Sequence, residues 1–172
     1  ALTTNLRGSL EIYADVIMNP AFRESEFTLA KQRRIARIRQ EQAQPNASAL
    51  RIVPRLIYGA DHPYGKPASG SGYPATVTTL TRDDLTAWHR AWFHPNNATL
   101  IVAGDVTLET LLPQLERAFA GWKQGKAPEK DVSEVPRTAG RKVYLLDRPD
   151  ATQSVIIASH VSERGGLPED LA

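Results

Sequence analysis

Residues 92–106, WFHPNNATLIVAGDV, carry the chain from the end of a helix into a short apolar run. The His94-Pro95-Asn96-Asn97 segment is typical of a helix end, because proline cannot donate the hydrogen bond that would continue the helix. The run Ala98–Gly104 that follows is short and apolar, which is typical of a buried strand. The sequence therefore predicts a helix followed at once by a buried strand.

The helix before this stretch is predicted to begin at Thr81-Arg82-Asp83-Asp84. In such a capping box the threonine oxygen accepts a hydrogen bond from a first-turn amide, while the Asp84 carboxylate reaches back to the cap. Leu85, Trp88 and Trp92 follow at the spacing of one helical face. We therefore expect Trp88 to be buried in the core.

Two helices are predicted near the start of the chain. The first has an apolar face and ends at Asn19-Pro20, and the second runs from a Ser25 cap to the residues before Pro45. The apolar face of the first consists of Leu2, Leu6, Leu10, Tyr13 and Ile17. The solvent side of the second is basic, with Lys31, Arg33, Arg34, Arg37 and Arg39.

Two further helices contain a proline. Asn46 is expected to cap one of them, which Pro54 should kink or split because proline removes a backbone donor. The other follows the apolar run, and its Pro113 is accommodated most easily if the first turn begins near Thr110. It is expected to end around Gly121.

The remaining segments are rich in turn-forming or β-prone residues. Residues 58–79 contain many Gly, Pro, Ser and Thr, so they predict a long ordered loop. Residues 126–140 are polar with several Pro and Gly and predict a linker. Beyond them, residues 141–147 and 152–160 predict a β-hairpin, and residues 162–172 a loop that enters a helix.

Composition excludes several kinds of partner and site. The chain has 172 residues, 21 Lys and Arg against 19 Asp and Glu, and no Cys. A net charge of +2 gives no reason to expect nucleic acid or an anionic membrane as a partner, and no apolar run is long enough to span a membrane. Without cysteine there is neither a disulfide nor a thiolate metal site, which fits a periplasm and a cytosol equally.

Histidine is the remaining candidate metal ligand, and the chain has His62, His89, His94 and His160. The sequence contains neither His-Glu-x-x-His nor His-x-x-Glu-His. His89 and His94 are five residues apart, about 140° around a helix, so they cannot share a metal from one helical face. We interpret His89 as a partly exposed helix side chain and His94 as a helix-end residue.

No motif for nucleophilic or nucleotide chemistry is present. The chain lacks a Gly-x-Ser-x-Gly turn, a phosphate-binding loop and a dinucleotide fingerprint. The basic side of the second helix is not interleaved with aromatic residues, so a solvated helix face is a better interpretation than a nucleic-acid site.

Five segments nevertheless occur in a specific order. They are Met18-Asn19-Pro20-Ala21-Phe22, Glu26-Phe27, His62-Pro63-Tyr64-Gly65-Lys66-Pro67, Leu80-Thr81-Arg82-Asp83-Asp84-Leu85 and residues 92–106. In this order they resemble the pitrilysin (insulinase) family of zinc metallopeptidases over nearly the whole chain. Later, Leu146-Asp147-Arg148-Pro149 and Gln153-Ser154 resemble the opening hairpin of the family's next domain.

The resemblance implies where a zinc site would lie. Catalytic members carry a His-x-x-Glu-His helix, expected before Ala1, and a third glutamate ligand on the long helix that corresponds to residues 26–42. That third position falls near Ala36 or Arg37, neither of which is a carboxylate. Glu26 and Glu41 are too far apart to replace the two acidic positions of catalytic members.

We therefore expect an α+β fold, an antiparallel sheet covered by helices, in a partial pitrilysin-type metallopeptidase domain. Residues 1–125 would form the latter part of that domain and residues 126–140 a linker. Residues 141–172 would open the next domain or form a hairpin that completes the sheet. A homodimer is one arrangement that would complete it.

The expected function is that of an inactive domain in a zinc-dependent metalloendopeptidase, which helps to enclose and bind the substrate. We expect no catalytic, cofactor-binding or metal-binding residue in this chain, and zinc in the catalytic half of the protein or in a partner subunit. The expected partners are a peptide substrate and that catalytic half. The alternative is a non-proteolytic assembly module, like the related core subunits of respiratory complexes. The resemblance to bacterial family members with this architecture favours a periplasmic over a cytosolic location.

Overall fold

The structure is a computed structural model that describes residues 2–129, 132, 134–135 and 140–161. In this part of the chain all regular elements are helical. They are α1 Leu6–Met18, α2 Glu24–Ala43, α3 Pro45–Tyr58, α4 Pro74–Thr79, α5 Arg82–Trp92 and α6 Leu108–Ala118, with 3-10 turns at Thr3–Asn5, Pro63–Gly65 and Pro95–Asn97. The predicted tail at 162–172 lies outside the described residues, as does part of the linker at 126–140, whose boundary stays a prediction.

The predicted α+β fold with an antiparallel sheet is wrong for the described residues, which contain no strand. Ala98 has extended backbone angles, φ −126° and ψ 146°, as the sequence pattern requires. However, a strand also needs a neighbour for its backbone hydrogen bonds, and Ile101 is 88% exposed instead of buried. The apolar run therefore begins in an extended conformation, at Ala98, but it is not paired as a strand.

The predicted hairpin is wrong for the same reason. Residues 141–147 and 152–160 form no strands, and the side chains of Val143 and Ile156 are each 94% exposed. The connection between them does turn, with the Ala151 amide donating to the Arg148 carbonyl oxygen at 3.2 Å. A local turn signal was thus correct where the long-range pairing was not.

The described chain divides into two compact units. The first consists of Ala1–Leu29 and Leu80–Lys130, and the second of Ala30–Thr79 and Asp131–Ala172. In the first unit α1 packs against α6, where Ala14 and Leu111 are buried. Tyr13 and Phe119 meet edge to face beside them, with ring centroids 6.3 Å apart.

Helix α6 begins two residues earlier than predicted. Thr107 caps it by accepting a hydrogen bond from the Thr110 amide at 3.4 Å, and Leu108 is its first residue. Pro113 therefore lies inside the helix, where it cannot donate a backbone hydrogen bond. The cap decides where the helix starts, although a later start would have suited the proline.

In the second unit Ile38 of α2 is fully buried. Helix α3 has its N-cap at Gln44 with Pro45 as first residue, so the predicted cap at Asn46 is wrong, and the helix is not split at Pro54. Proline suits the first helical position because its missing amide has no partner there anyway. The predicted loop 58–79 contains one short helix, α4.

The capping box of α5 is confirmed. The Thr81 amide donates to Asp84 Oδ2 at 2.8 Å, and the Asp84 amide donates to Thr81 Oγ1 at 3.2 Å. Hydrogen bonds from Thr81, first of all from its side chain, lower the pKa of Asp84. The predicted burial of Trp88 is wrong, since it is 53% exposed and packs edge to face on Phe93.

Replacing Thr81 by Ala is expected to destabilise α5 by about 1 kcal/mol, because a first-turn amide loses its acceptor. Amide hydrogen exchange of the helix, followed by mass spectrometry, measures this local stability. Thr86→Ala is the matched control, because its hydroxyl only returns to the Arg82 carbonyl oxygen of the same helix. Equal exchange rates in the two variants would contradict the assigned role of the cap.

Candidate functional site

Helix α2 contains Ala36 and Arg37, the residues near which the family resemblance predicts the third zinc ligand of a catalytic member. Ala36 and Arg37 are both exposed there. The Arg37 side chain is 71% exposed, and its Nε lies 3.5 Å from Glu41 Oε1. A guanidinium group has no lone pair to give a metal and would repel Zn²⁺, so the residues at this position do not fit a zinc ion.

Glu41 is held by a network of hydrogen bonds that we call the Glu41–Arg51 cluster. Its Oε2 accepts from Arg51 Nη1 at 2.8 Å, from Ser71 Oγ at 2.6 Å and from Ser69 Oγ at 3.0 Å. Arg51 also donates to Ser71 Oγ and, at 2.6 Å, to the Gly72 carbonyl oxygen. The cluster therefore ties residues 69–72 to α2 and α3.

The cluster is buried and charged. The side chain of Arg51 is 6% exposed and that of Glu41 is 13% exposed. The hydrogen bond from Ser71 is the main cause that lowers the pKa of Glu41 to about 2, against the opposing effect of burial. Such a carboxylate carries no proton near pH 7, so it cannot serve as a general acid there, and its low basicity makes it a poor general base.

The Glu41–Arg51 cluster was not predicted from the sequence. The segment Ser69-Gly70-Ser71-Gly72 was predicted to be a loop, and Glu41 was considered only as a candidate for a missing metal site. One signal was available, because Arg51 lies in α3 among apolar neighbours, and a buried arginine needs an anionic partner. Its partners lie ten and twenty residues away, at Glu41 and Ser71, so helical spacing could not identify them.

Two of the four histidines support local structure. His62 is buried, caps the turn at 63–65 by accepting from the Tyr64 amide at 3.1 Å, and stacks on Tyr58 with centroids 5.6 Å apart. His89 is half-buried as predicted, and its Nε2 lies 2.7 Å from the Ile17 carbonyl oxygen. A carbonyl oxygen can only accept a hydrogen bond, so Nε2 must be the protonated ring nitrogen. A protonated Nε2 is not free to bind a metal.

His94 lies beside a clamp between two segments of the first unit. The Asn96 side chain donates to the Gly125 carbonyl oxygen at 2.8 Å and accepts from the Gly125 amide at 3.1 Å, as a peptide group would. A methyl group on Gly125 would lie 2.3 Å from His94 Cε1, so the ring lies directly over this glycine. His160 is exposed. Among the described residues, no three His, Cys, Asp or Glu side chains come together as a metal site.

A surface cavity of about 200 Å³ lies between α1 and α6 of the first unit. Its wall includes Arg7, Glu11, Asp15 and Arg117. Arg7 is already paired with Glu11 at 3.1 Å, and Asp15 accepts from the Asn19 side chain at 3.0 Å. The cavity is smaller than typical small-molecule sites and gives no indication of a ligand class.

Comparison with known proteins gives a consistent result. Residues 79–171 match the family described as the peptidase M16 inactive domain. The chain is 31% identical over 128 residues to an uncharacterized zinc protease of Rickettsia bellii. This match covers 73% of the present chain and 30% of the Rickettsia protein. It is also 24% identical over 169 residues to the mitochondrial presequence protease of Gibberella zeae. This second match covers 86% of the present chain and 16% of the Gibberella protein.

Among solved structures, the periplasmic protease PqqL from Escherichia coli has a similar fold, with a TM-score of 0.67 and 20% identity over 80% of this chain and 15% of that one. The chain thus spans about a third or less of the length of these proteins. None of the described helices has the length and apolar character needed to cross a membrane.

Proposed function

The chain belongs to the peptidase M16 family, whose inactive domain it contains, and we propose on this premise that it helps to enclose and bind peptides for a zinc-dependent endopeptidase. The predicted resemblance to the pitrilysin family and the assignment to an inactive domain are confirmed by this match. The zinc site would lie in another part of the protein or in a partner subunit. The periplasm is the proposed compartment.

The exposed arginine at position 37 carries the proposal. Zinc enzymes bind the metal through carboxylate, imidazole or thiolate groups, and at this position the chain has a cation whose charge partner is Glu41. Glu41 in turn is committed to Arg51 and Ser71. The chain would therefore contribute binding energy to the substrate without a group that acts on the scissile bond.

The alternative of a non-proteolytic assembly module is not favoured. The relatives are named as zinc proteases and presequence proteases. Their names support a protein that hydrolyses peptides, with this chain as the part that does not bear the metal.

The test is hydrolysis of a quenched fluorescent peptide by the complete protein, by the same protein without residues 1–172, and by that shortened protein with the chain added in trans. Removing the chain is expected to raise KM several-fold, because substrate contacts are lost while the zinc site remains. Adding it back should restore part of the affinity. A zinc-chelated sample gives the background.

Glu24→Gln and Glu26→Gln in the complete protein provide the matched control, since both residues are exposed carboxylates of α2. They are expected to leave the rate within about twofold, because loss of a true zinc ligand or catalytic carboxylate costs orders of magnitude. Chelator-sensitive hydrolysis by the chain alone would contradict the proposal. A shortened protein with unchanged KM and kcat would do so as well.

A further inference from the structure

Helix α2 carries four exposed arginines, and three of them lie close together around the helix: Arg33, Arg34 and Arg37, which we call the arginine row. Successive residues of an α-helix are about 100° apart around its axis, so these three fall within roughly 100° of one another. Arg39 is also exposed, but it lies about 120° or more from each of them. The row is therefore a local concentration of charge on one side of the helix.

The charge of the row is poorly compensated. Arg37 is its only member within 4.0 Å of a carboxylate in the described part of the chain, and that carboxylate, Glu41, also pairs with the buried Arg51. Arg33 and Arg37 are one turn apart, and like charges at this spacing destabilise a helix. Solvent-exposed helix faces usually contain acidic as well as basic residues. This side of α2 instead concentrates cations with few acidic neighbours.

We propose that the arginine row binds acidic segments of peptide substrates, an inference that rests on the proposed function in substrate binding. Guanidinium groups match carboxylates in shape as well as charge, because two parallel N–H donors can meet both oxygens of a carboxylate. Three of them within one and a half turns would engage more than one Asp or Glu of an extended chain. Peptides rich in lysine would be repelled.

A peptide fits the row better than a nucleic acid does. Proteins that bind single strands combine cations with aromatic side chains on which bases stack. Between Thr28 and Ala43 the helix has no aromatic residue. Carboxylate recognition needs only the planar donors that are present.

The inference is tested by fluorescence anisotropy with the complete protein, in the presence of a zinc chelator so that the peptide stays intact. Two labelled peptides differ only in glutamate or glutamine at alternate positions. The glutamate peptide is expected to bind about tenfold more tightly at low salt and to lose this advantage as salt rises, because exposed charges are screened. Replacing all three arginines by Gln should remove the difference.

Arg39→Gln is the matched control for Arg33→Gln, since each removes one exposed cation from the same helix. Arg33→Gln should weaken binding of the glutamate peptide roughly threefold, and Arg39→Gln should leave it within error. Equal binding of both peptides, unaffected by any variant, would overturn the inference and leave the proposed function standing. Binding of neither peptide would overturn both. Tighter binding of a short oligonucleotide than of the glutamate peptide, lost in the triple variant, would assign the row to nucleic acid instead.

Discussion

Arg51→Met is expected to lower the local free energy of unfolding around α3 by about 3 kcal/mol. Methionine fills much of the space of arginine but removes the buried cation from Glu41 Oε2, so that the mostly exposed Arg37 is the remaining cation beside this carboxylate. It also removes the donor to the Gly72 carbonyl oxygen. Two serine hydroxyls remain on Glu41 and moderate the loss. Amide hydrogen exchange of α3 in the complete protein measures the change.

Arg55→Met is the matched control, because Arg55 lies one turn further along α3 and is exposed. Its substitution should change the stability by less than about 0.5 kcal/mol, as is usual for surface positions. If Arg51→Met and Arg55→Met had equal effects, the cluster would not stabilise this unit.

The effect of Arg51→Met should also depend on pH. The pKa of Glu41 is 4.5 in an unfolded reference and about 2 in the folded chain, so the ionised form stabilises the fold by at most about 3 kcal/mol. This stabilisation is present above pH 4.5 and is lost as the pH falls toward 2. Ser71 is the main cause of the low pKa and remains in the variant, so only the share that Arg51 contributes is lost. The difference in stability between the native and variant proteins should therefore narrow, without vanishing, as the pH falls through that range. A difference that widens toward low pH would contradict the pairing of Arg51 with an ionised Glu41.

Gly65→Ala is expected to destabilise the 59–66 segment by about 3 kcal/mol, through steric overlap with the backbone. A methyl group there would lie 1.8 Å from the carbonyl oxygen of Gly59, and a backbone atom cannot move aside as a side chain can. The turn at 63–65 would have to shift with it. Hydrogen exchange of residues 58–66, together with the melting temperature, reports the change.

Gly8→Ala provides the opposite control. No atom lies within 4 Å of the added methyl group, and the glycine is inside α1. Alanine should therefore stabilise that helix by up to about 1 kcal/mol. Native-like exchange in Gly65→Ala would show that the segment is not packed as closely as the structure has it.

Local signals predicted the helices better than the sheet. The α5 cap was found from four residues, because a capping box is satisfied within its own turn. The predicted strand at 98–104 failed because pairing depends on a second segment that no local pattern specifies. The predicted burial of Trp88 was wrong for a related reason. Helical spacing identifies an apolar stripe on the helix, but the neighbouring elements determine which part of that stripe they cover.

The candidate site divides in the same way. The exposure of Arg37 was predicted from the basic solvent side of the second helix, and the half-buried state of His89 was also as predicted. The Glu41–Arg51 cluster was missed because it joins two helices and a loop through side chains alone. A charged residue in an apolar segment indicates that it has a partner of opposite charge. Which residue is that partner depends on the fold.

The uncovered apolar segment at 143–146 has a consequence for the synthesis of the protein. Val143 and Leu145 are each 94% exposed, so a newly made chain would present a short β-prone sequence to other copies of itself. Charged residues stand on both sides of it, Arg141-Lys142 before and Asp147-Arg148 after. Such flanking charges act as gatekeepers, because stacking identical segments would bring like charges together, and they slow aggregation while the chain is still folding.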